Sequence, residues 1–405
     1  MKPGVQNAAD AGGVVGADVV AACALSAVPG IGASAMARIA ASFQTLQGAM
    51  DAGPRGILER AQDLQLRQEA REYLARDPDL EELGLWAVAA ARDAGARVVL
   101  IGDPWYPSRL LEIANPPPLL YVRGNLARDM RRVAVVGSRE ADEEGLEIAR
   151  TMGDALARAN VQVISGGARG IDAAAHNGAL WAQGSSVAVL GCGIDVVYPP
   201  ENGELFDRLA RGAGAVISEF APATQPAPKN FPRRNRTISG LSDAVVVVRA
   251  ALQSGALITA DHAEVQGRPI YAVPGDVGNP LAAGPNQLLR ANKAEVVTSA
   301  VDVLNRLRWP VPDELLAPPA DEAKREVHPA FPAGKQEPVS PHADHEVIDE
   351  ESLRLWRLLD ERTPAHVDDL SLRAQIPAQV ALRKLADLEL KGMVVQRPGK
   401  YFLRK

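Results

Sequence analysis

The stretch VQVISGGARGIDAAAHNGAL, residues 161–180, predicts a buried strand, a glycine turn and a helix in direct succession. This arrangement usually holds a dinucleotide against the N-terminus of the helix. Two features depart from a dinucleotide site. Arg169 lies inside the glycine turn, and Gly191-Cys192-Gly193 follows the next strand, where a carboxylate would be needed to bind a ribose. The turn is therefore expected to hold an anion other than the pyrophosphate of NAD.

Strand-like apolar runs recur before and after this stretch, and helical patterns separate most of them. The runs mostly lack alternation of apolar and polar residues, as expected for parallel strands that are covered on both faces. The sequence therefore predicts an α/β fold with a doubly wound sheet over about residues 97–308. The predicted strands are 98–102, 133–137, 161–165, 186–191, 215–218, 244–248 and 270–273.

The segments on the N-terminal side have a different pattern. Residues 1–17 are rich in Ala and Gly and are expected to form a disordered tail. Residues 18–96 predict a small all-helical domain. Within it, the turn Pro29-Gly30-Ile31-Gly32 resembles a helix-hairpin-helix element, whose amides can face a DNA phosphate. A tight turn without a DNA contact is the alternative interpretation.

The C-terminal segments are expected to be a linker and a second small domain. Residues 309–348 are rich in proline and are expected to be a Pro-rich linker. Residues 349–405 have the outline of a winged helix-turn-helix, whose weak positive charge suits a duplex DNA partner or a protein partner. Its predicted elements are helices around 355–359, 367–370 and 377–391, and a β-hairpin at 393–403 that turns at Pro398-Gly399.

Composition limits the possible functions of the chain. Its 405 residues are 47% hydrophobic and 23% charged, which is ordinary for a globular protein with two or three domains. Two cysteines are too few for a disulfide framework or a metal cluster, and residues 1–20 do not resemble a signal peptide, so a cytoplasmic protein without a metal is expected. The net charge of −6 means that nucleic acid would have to bind to a local basic patch.

Two glycine loops are candidates for phosphate binding. VAVVGSRE (133–140) and ISGGARGID (164–172) each end a predicted strand and open a helix, whose first amides carry partial positive charge. Neither loop has the spacing of a dinucleotide or P-loop motif. Each contains an arginine, Arg139 or Arg169, that could contact a phosphate with two hydrogen bonds.

A third candidate is the basic segment PAPKNFPRRNRTISG (226–240), which we expect to be a loop. It places Lys229, Arg233, Arg234 and Arg236 beside Phe231 and Asn235, and no acidic residue lies between Glu219 and Asp243. Cations beside an aromatic ring suit single-stranded nucleic acid, where phosphates need charge and bases need a surface for stacking.

Seven motifs follow one another along the chain, namely VAVVGSRE, SGGARGIDAAAH, GCGIDVVYPPEN, ISEF, FPRRNRTISGLS, SGALITADHA and VPGDVGNPLAAGPNQLL. In their order and spacing they resemble the motifs of the DNA-processing protein A (DprA/Smf) family. The resemblance implies a Rossmann-like DNA-binding domain at 97–308. It also implies a cytoplasmic homodimer that binds single-stranded DNA, protects incoming DNA and loads the RecA recombinase during natural transformation. Neither a catalytic residue nor a cofactor is implied. By motif match, the residues lining the DNA groove are Gly137, Ser138, Arg139, Gly166, Gly167, Arg169, Lys229, Phe231, Arg233, Arg234, Asn235 and Arg236.

Two other classes of function remain as alternatives. The first is an enzyme similar to the nucleoside-monophosphate phosphoribohydrolases, but His262 stands where their motif has a glutamate. Asp172 and His176 could form an acid–base pair, and Cys192 could be a nucleophile, although each residue type also suits a structural position. The second is a transcriptional regulator whose winged helix reads duplex DNA.

Overall fold

The computed structural model describes residues 16–316 and most of 350–404, leaving out 361–364, 375, 378–379, 383, 386–387, 389–392 and 398–400. The chain divides into two units at residue 330. The tail predicted at 1–17 lies almost entirely outside the described residues, as does most of the linker predicted at 309–348. No helix among the residues that can be described is long and apolar enough to cross a membrane.

A mixed sheet organises the first unit, and within residues 16–316 it has nine strands in the order β1-β2-β6-β5-β4-β3-β7-β8-β9. Strands β3 to β9 are parallel, whereas β1 and β2 form an antiparallel edge beside β6. The strands are β1 Ala96–Leu100, β2 Leu119–Gly124, β3 Arg132–Val136, β4 Gln162–Ser165, β5 Ser186–Leu190, β6 Ala215–Ser218, β7 Ala244–Val247, β8 Ile270–Ala272 and β9 Glu295–Val296.

Seven of these strands lie where the apolar runs predicted them, and β2 and β9 were not predicted. The two residues of β9 are exposed, so this strand has no buried apolar run that would identify it in the sequence. Strand β2 lies in the stretch YPSRLLEIANPPPLLYVRG (106–124), in which prolines precede the apolar run. The strand order reverses beside β3, because β4, β5 and β6 extend to one side and β7 returns to the other. Ligands bind at such a switch point in open α/β sheets.

Helices cover both faces of the sheet. Val133 and Val135 of β3 face one apolar cluster, while Ala134 and Val136 face another. This alternation explains why the run VAVVG is continuously apolar. The helices after β3 are α6 Glu143–Arg158, α7 Ile171–Trp181, α8 Gly203–Arg211, α9 Asn230–Leu241, α10 Gly255–Val265, α11 Ala283–Arg290, α12 Ala300–Arg306 and α13 Asp313–Leu316. Short 3₁₀ turns lie at Ser108–Glu112, between β1 and β2, and at Pro200–Asn202 and Pro280–Ala282.

The N-terminal segment is helical, as predicted. Gly30, with φ of +81°, lies in the turn between the first two helices, where a Cβ would lie 3.1 Å from the backbone nitrogen of Ala70. The turn therefore needs glycine for its conformation and for close packing. The helices are α1 Ala17–Ala27, α2 Ala33–Phe43, α3 Leu46–Glu59, α4 Gln68–Leu74 and α5 Leu80–Asp93.

The second unit has the elements of a winged helix. Helices α14 (Glu350–Leu358) and α15 (Val367–Ala374) accompany a three-stranded sheet of β10 (Ala365–His366), β12 (Tyr401–Arg404) and β11 (Val394–Arg397). The third predicted helix, 377–391, lies partly outside the described residues, but its expected apolar positions contribute to the core. The predicted turn Pro398-Gly399 lies outside the described residues. The core residues include Leu355, Leu370, Ala381, Leu385, Leu388 and Phe402.

Close packing of α6 against α7 generates a stability prediction. A Cβ on Gly178 of α7 would overlap the carbonyl oxygen of Arg150 on α6. We expect Gly178→Ala to lower the free energy of unfolding by about 1–3 kcal/mol, because the two backbones must separate. Urea denaturation measures the change.

Gly255→Ala is the matched control, because a Cβ at this helical glycine would have no neighbour within 4 Å. It should leave stability unchanged or raise it by about 1 kcal/mol at most. Equal effects of the two substitutions would contradict the packing argument.

Candidate nucleic-acid interface

The loops that follow the parallel strands meet at the carboxyl edge of the sheet. The loop after β3 begins at Gly137, where a Cβ would lie 2.5 Å from Cγ1 of Ile171 and 2.7 Å from the carbonyl oxygen of Arg249. The amide of Ser138 donates to that same Arg249 carbonyl at 2.6 Å. Gly137 and Ser138 therefore anchor the loop, and Arg139, the next residue, is exposed.

The loop after β4 is held from inside by Asp172. This buried carboxylate accepts hydrogen bonds from the amides of Gly166, at 3.1 Å, and Ala168, at 3.4 Å. Burial raises the pKa of Asp172, and the charge of Arg234 opposes that rise. Gly167 has a φ of +62°, and a Cβ there would lie 2.6 Å from the ring of Phe206. Two amides that could have faced a phosphate, those of Gly166 and Ala168, thus donate to Asp172 of the protein itself.

The basic segment is helical, so the prediction of a loop at 226–240 was wrong for residues 230–240. Helix α9 begins at Asn230. Pro232 lies in the first turn, where backbone amides have no partner within the helix, so proline is tolerated. Ile238 and Leu241 pack into the core beneath the sheet. The prolines of the segment therefore mark the approach to a helix and its first turn.

Buried Glu219, just after β6, binds two of the predicted cations of α9. Its carboxylate accepts from Nε of Arg233 at 3.2 Å and from the hydroxyl of Thr237, and it lies 3.7 Å from Nη2 of Arg236. Arg236 also donates to the carbonyl oxygen of Ala114 at 3.0 Å. Arg233 and Arg236 are therefore held by protein groups. The sequence suggested a cluster of cations without carboxylate partners, because Glu219 lies before the basic segment.

Arg234 is buried beneath the loop after β4, with 5% of its surface exposed. Its Nη1 donates to the carbonyl oxygen of Val189 on β5 at 2.9 Å. Burial lowers the pKa of Arg234, and Asp172 opposes that effect. A side chain at position 166 would collide with this guanidinium. Asn235, the next residue, is also buried and donates to the carbonyl oxygen of Gly255 at 3.0 Å.

Phe231 lies between several of the predicted site residues. The guanidinium of Arg139 lies over its ring, 4.8 Å from the centroid, and that of Arg234 lies 5.9 Å away. Tyr198, which sequence reasoning did not identify, places its ring centroid 5.9 Å from that of Phe231. These groups surround a small pocket, which is lined by Arg139, Gly166, Ala168, Arg169, Gly191, Tyr198, Pro199, Phe231 and Arg234.

The exposed cations differ in their partners. Arg169 forms an ion pair with Glu201, which raises the pKa of Arg169 and lowers that of Glu201. Lys229 lies apart from this pocket, 3.6 Å from Glu69 of α4. Within the described residues, no carboxylate lies within 4.0 Å of the Arg139 guanidinium. Arg139 is therefore the exposed charge that is best placed to receive a phosphate.

The candidates for catalysis are buried, and within the described residues no hydrogen bond or ion pair joins them to one another. Nδ1 of His176 contacts the hydroxyl of Ser186 at 2.7 Å, and burial lowers the pKa of His176 to about 3. The thiol of Cys192 donates to the carbonyl oxygen of Val196 at 3.3 Å, and burial raises its pKa to about 11. Asp172 and His176 do not pair. In the described part of the chain, no three His, Cys, Asp or Glu side chains are grouped as metal ligands.

Two sequence families match this chain. Residues 97–308 match the family described as DNA recombination-mediator protein A, and residues 335–400 match the DprA winged helix domain. The chain belongs to the DprA family. Protein Smf of Escherichia coli (strain K12) resembles it with 38% identity over 298 residues, which cover 73% of this chain and 74% of that protein.

Two further DprA proteins support the same assignment. The putative DNA processing protein DprA of Mycobacterium tuberculosis (strain ATCC 25618 / H37Rv) is 35% identical over 361 residues, or 87% of this chain and 82% of that protein. The X-ray structure of DprA from Streptococcus pneumoniae has a TM-score of 0.57 and 30% identity, and covers 72% of this chain and 98% of that one. The predicted family and fold class are confirmed.

The buried histidine of this DprA fold generates a prediction of pH dependence. Since the Ser186 hydroxyl donates to the carbonyl oxygen of Val163 at 2.8 Å, Nδ1 of His176 is the donor to that hydroxyl, and burial, which lowers the pKa of His176 to about 3, keeps the ring neutral. An unfolded histidine takes up a proton below about pH 6.5, whereas His176 in the fold does so only near 3. Between these values the unfolded state binds more protons, so stability falls as the pH falls.

We expect His176→Gln to reduce this loss of stability, as measured by urea denaturation at about pH 7 and about pH 5. The difference in the free energy of unfolding between the parent and His176→Gln at the higher pH is the control, because it reports the altered contact with Ser186. The same pH dependence in both proteins would contradict a buried, neutral His176.

Proposed function

We propose that this chain binds single-stranded DNA at the carboxyl edge of its sheet and acts as a recombination mediator. The observation that carries the proposal is the position of Arg139. Its guanidinium is exposed, has no carboxylate partner among the described residues, and lies 4.8 Å from the centroid of Phe231. Arg169 and the exposed ring of Tyr198 line the same pocket. Charge beside aromatic surface is the combination that single strands require.

The proposal divides the predicted DNA-binding residues by role. Arg139 and Arg169 contact phosphates, because their guanidinium groups are exposed. Gly137, Ser138, Gly166 and Gly167 form the loops that carry them. Phe231, Arg233, Arg234, Asn235 and Arg236 act through α9, by holding the loops and the sheet edge in position. Lys229 provides an outlying charge near α4.

We extend the proposal to protection of incoming DNA and loading of RecA during natural transformation, by a cytoplasmic homodimer. The description of the matching family as a recombination mediator supports this extension. Residues 97–308 would be the DNA-binding domain, since the three predicted phosphate-binding segments lie within them. The burial of Asp172, His176 and Cys192 favours binding over catalysis, because none of the three could contact a nucleotide in the pocket.

A gel shift with single-stranded and duplex oligonucleotides of mixed sequences tests the function. The proposal predicts preferential binding of single strands without dependence on sequence. Protection of one defined duplex sequence would instead indicate a transcriptional regulator. Hydrolysis of a nucleoside monophosphate that His176→Gln abolishes would indicate an enzyme.

Arg139→Ala is expected to weaken single-strand binding by about 1–3 kcal/mol without altering thermal stability, because it removes a charge-assisted contact from an exposed position. It should also reduce the dependence of log affinity on log salt by about 0.7 for the one phosphate contact that is lost. Fluorescence titration at several salt concentrations measures both quantities.

Arg211→Ala is the matched control, because Arg211 is 83% exposed and pairs weakly with Asp207 on α8. It should change neither affinity nor the salt dependence. Similar losses for both variants would mean that binding follows overall charge and not the proposed pocket.

The ion pair of Arg169 gives a prediction of opposite sign. Glu201→Gln is expected to tighten single-strand binding several-fold at low salt, because it releases Arg169 to contact a phosphate. The gain should disappear in the Glu201→Gln, Arg169→Ala double variant. If the gain persists there, Glu201 acts by general repulsion and Arg169 is not the phosphate ligand.

A further inference from the structure

Phe231 is poorly placed to stack on a base, although it is the aromatic residue within the basic segment. One face of its ring is covered by the guanidinium of Arg139, 4.8 Å from the centroid. The ring also packs on the backbone of Gly191, where a Cβ would lie 2.9 Å from Cδ1 of Phe231. Phe231 is half-buried as a result. Its geometry suits a support that holds Arg139 at the surface.

Tyr198 offers the aromatic surface that Phe231 lacks. It follows β5 in the motif GCGIDVVYPPEN and is 36% exposed. Its ring is tilted 40° from that of Phe231, with the centroids 5.9 Å apart. Tyr198 lines the pocket together with Arg139 and Arg169, so a nucleotide whose phosphate reached either arginine would bring its base close to this ring.

We propose that Tyr198 stacks against one unpaired base of the bound strand and thereby makes the site select single strands. This inference rests on the proposed function, which it deepens. Arg139 and Arg169 recognise phosphates, which single strands and duplexes both carry. A base that is stacked and paired in a duplex cannot present its face to Tyr198, so this contact separates the two forms of DNA. Every base has a flat face, and the selection is therefore independent of sequence.

Abasic DNA separates the base contact from the phosphate contacts. An oligothymidylate and a strand of equal length with abasic sites have the same phosphates but differ in their bases. The full-length parent protein and its Tyr198→Leu and Tyr198→Phe variants are each titrated with both strands and with a duplex. Leucine keeps apolar bulk without an aromatic ring, and phenylalanine keeps the ring without the hydroxyl. Val197→Ala, at the exposed neighbouring residue, is the control for changes to this loop.

Tyr198→Leu is expected to weaken binding of oligothymidylate roughly tenfold, as for the loss of one base stack, and to leave abasic binding within about twofold. Its preference for single strands over duplex should fall by a similar factor. Tyr198→Phe should bind all three like the parent, as should Val197→Ala. Arg139→Ala should instead weaken binding of both oligothymidylate and the abasic strand.

Two results would overturn the inference while leaving the proposed function intact. In the first, Tyr198→Leu weakens binding of oligothymidylate and the abasic strand equally, which would show an effect on the loop or its charges. In the second, it changes neither. If the parent protein binds no single strand at all, the proposed function itself is wrong. Thermal unfolding identifies any variant that has lost its fold. If Tyr198→Leu is such a variant, Tyr198→Phe still tests whether binding needs the aromatic ring or the hydroxyl.

Discussion

The candidate site depends on one buried contact, the hydrogen bond from Arg234 of α9 to the carbonyl oxygen of Val189 on β5. A buried cation must find partners inside the protein, and Arg234 has this carbonyl and the nearby charge of Asp172. Asp172 in turn binds the amides of the loop after β4. Helix, strand and loop are thus joined through one guanidinium. The glycines at 166 and 191 make room for Arg234 and Phe231, so part of the glycine pattern serves packing against α9.

The sequence predicted the sheet well and the roles of the cations less well, for a physical reason. Buried parallel strands produce continuous apolar runs, which were recognisable for β3 to β8, whereas the exposed pair in β9 produces none. A basic residue looks the same in sequence whether its partner is solvent, a carbonyl or a distant carboxylate. Arg233 and Arg236 are compensated by Glu219, which the chain supplies from a different strand end. The prolines of the segment are compatible with α9, because a helix tolerates proline in its first turn.

The site combines a few exposed charges with a well-ordered support. Arg139 and Arg169 are exposed, and Glu201 already competes for the second. Such a surface would suit the proposed binding of a single strand by a protein whose net charge is −6, because a local patch is sufficient for attraction at short range, where salt screens less. In the proposed site, aromatic side chains would then contribute a larger share of the affinity for the strand. The exposed ring of Tyr198 was identifiable only once the fold placed it beside Phe231.

The fit of Gly166 against Arg234 has a consequence for how this sequence can vary. Any side chain at position 166 would collide with the guanidinium of Arg234, so a larger residue at 166 requires a shorter residue at 234. Losing Arg234 alone would leave Asp172 buried without its compensating charge, which is unfavourable. Substitutions at positions 166, 172 and 234 are therefore expected only where one compensates for another. A genetic screen for second-site suppressors of a bulky substitution at 166 would be expected to return changes at 234, and few at positions remote from both.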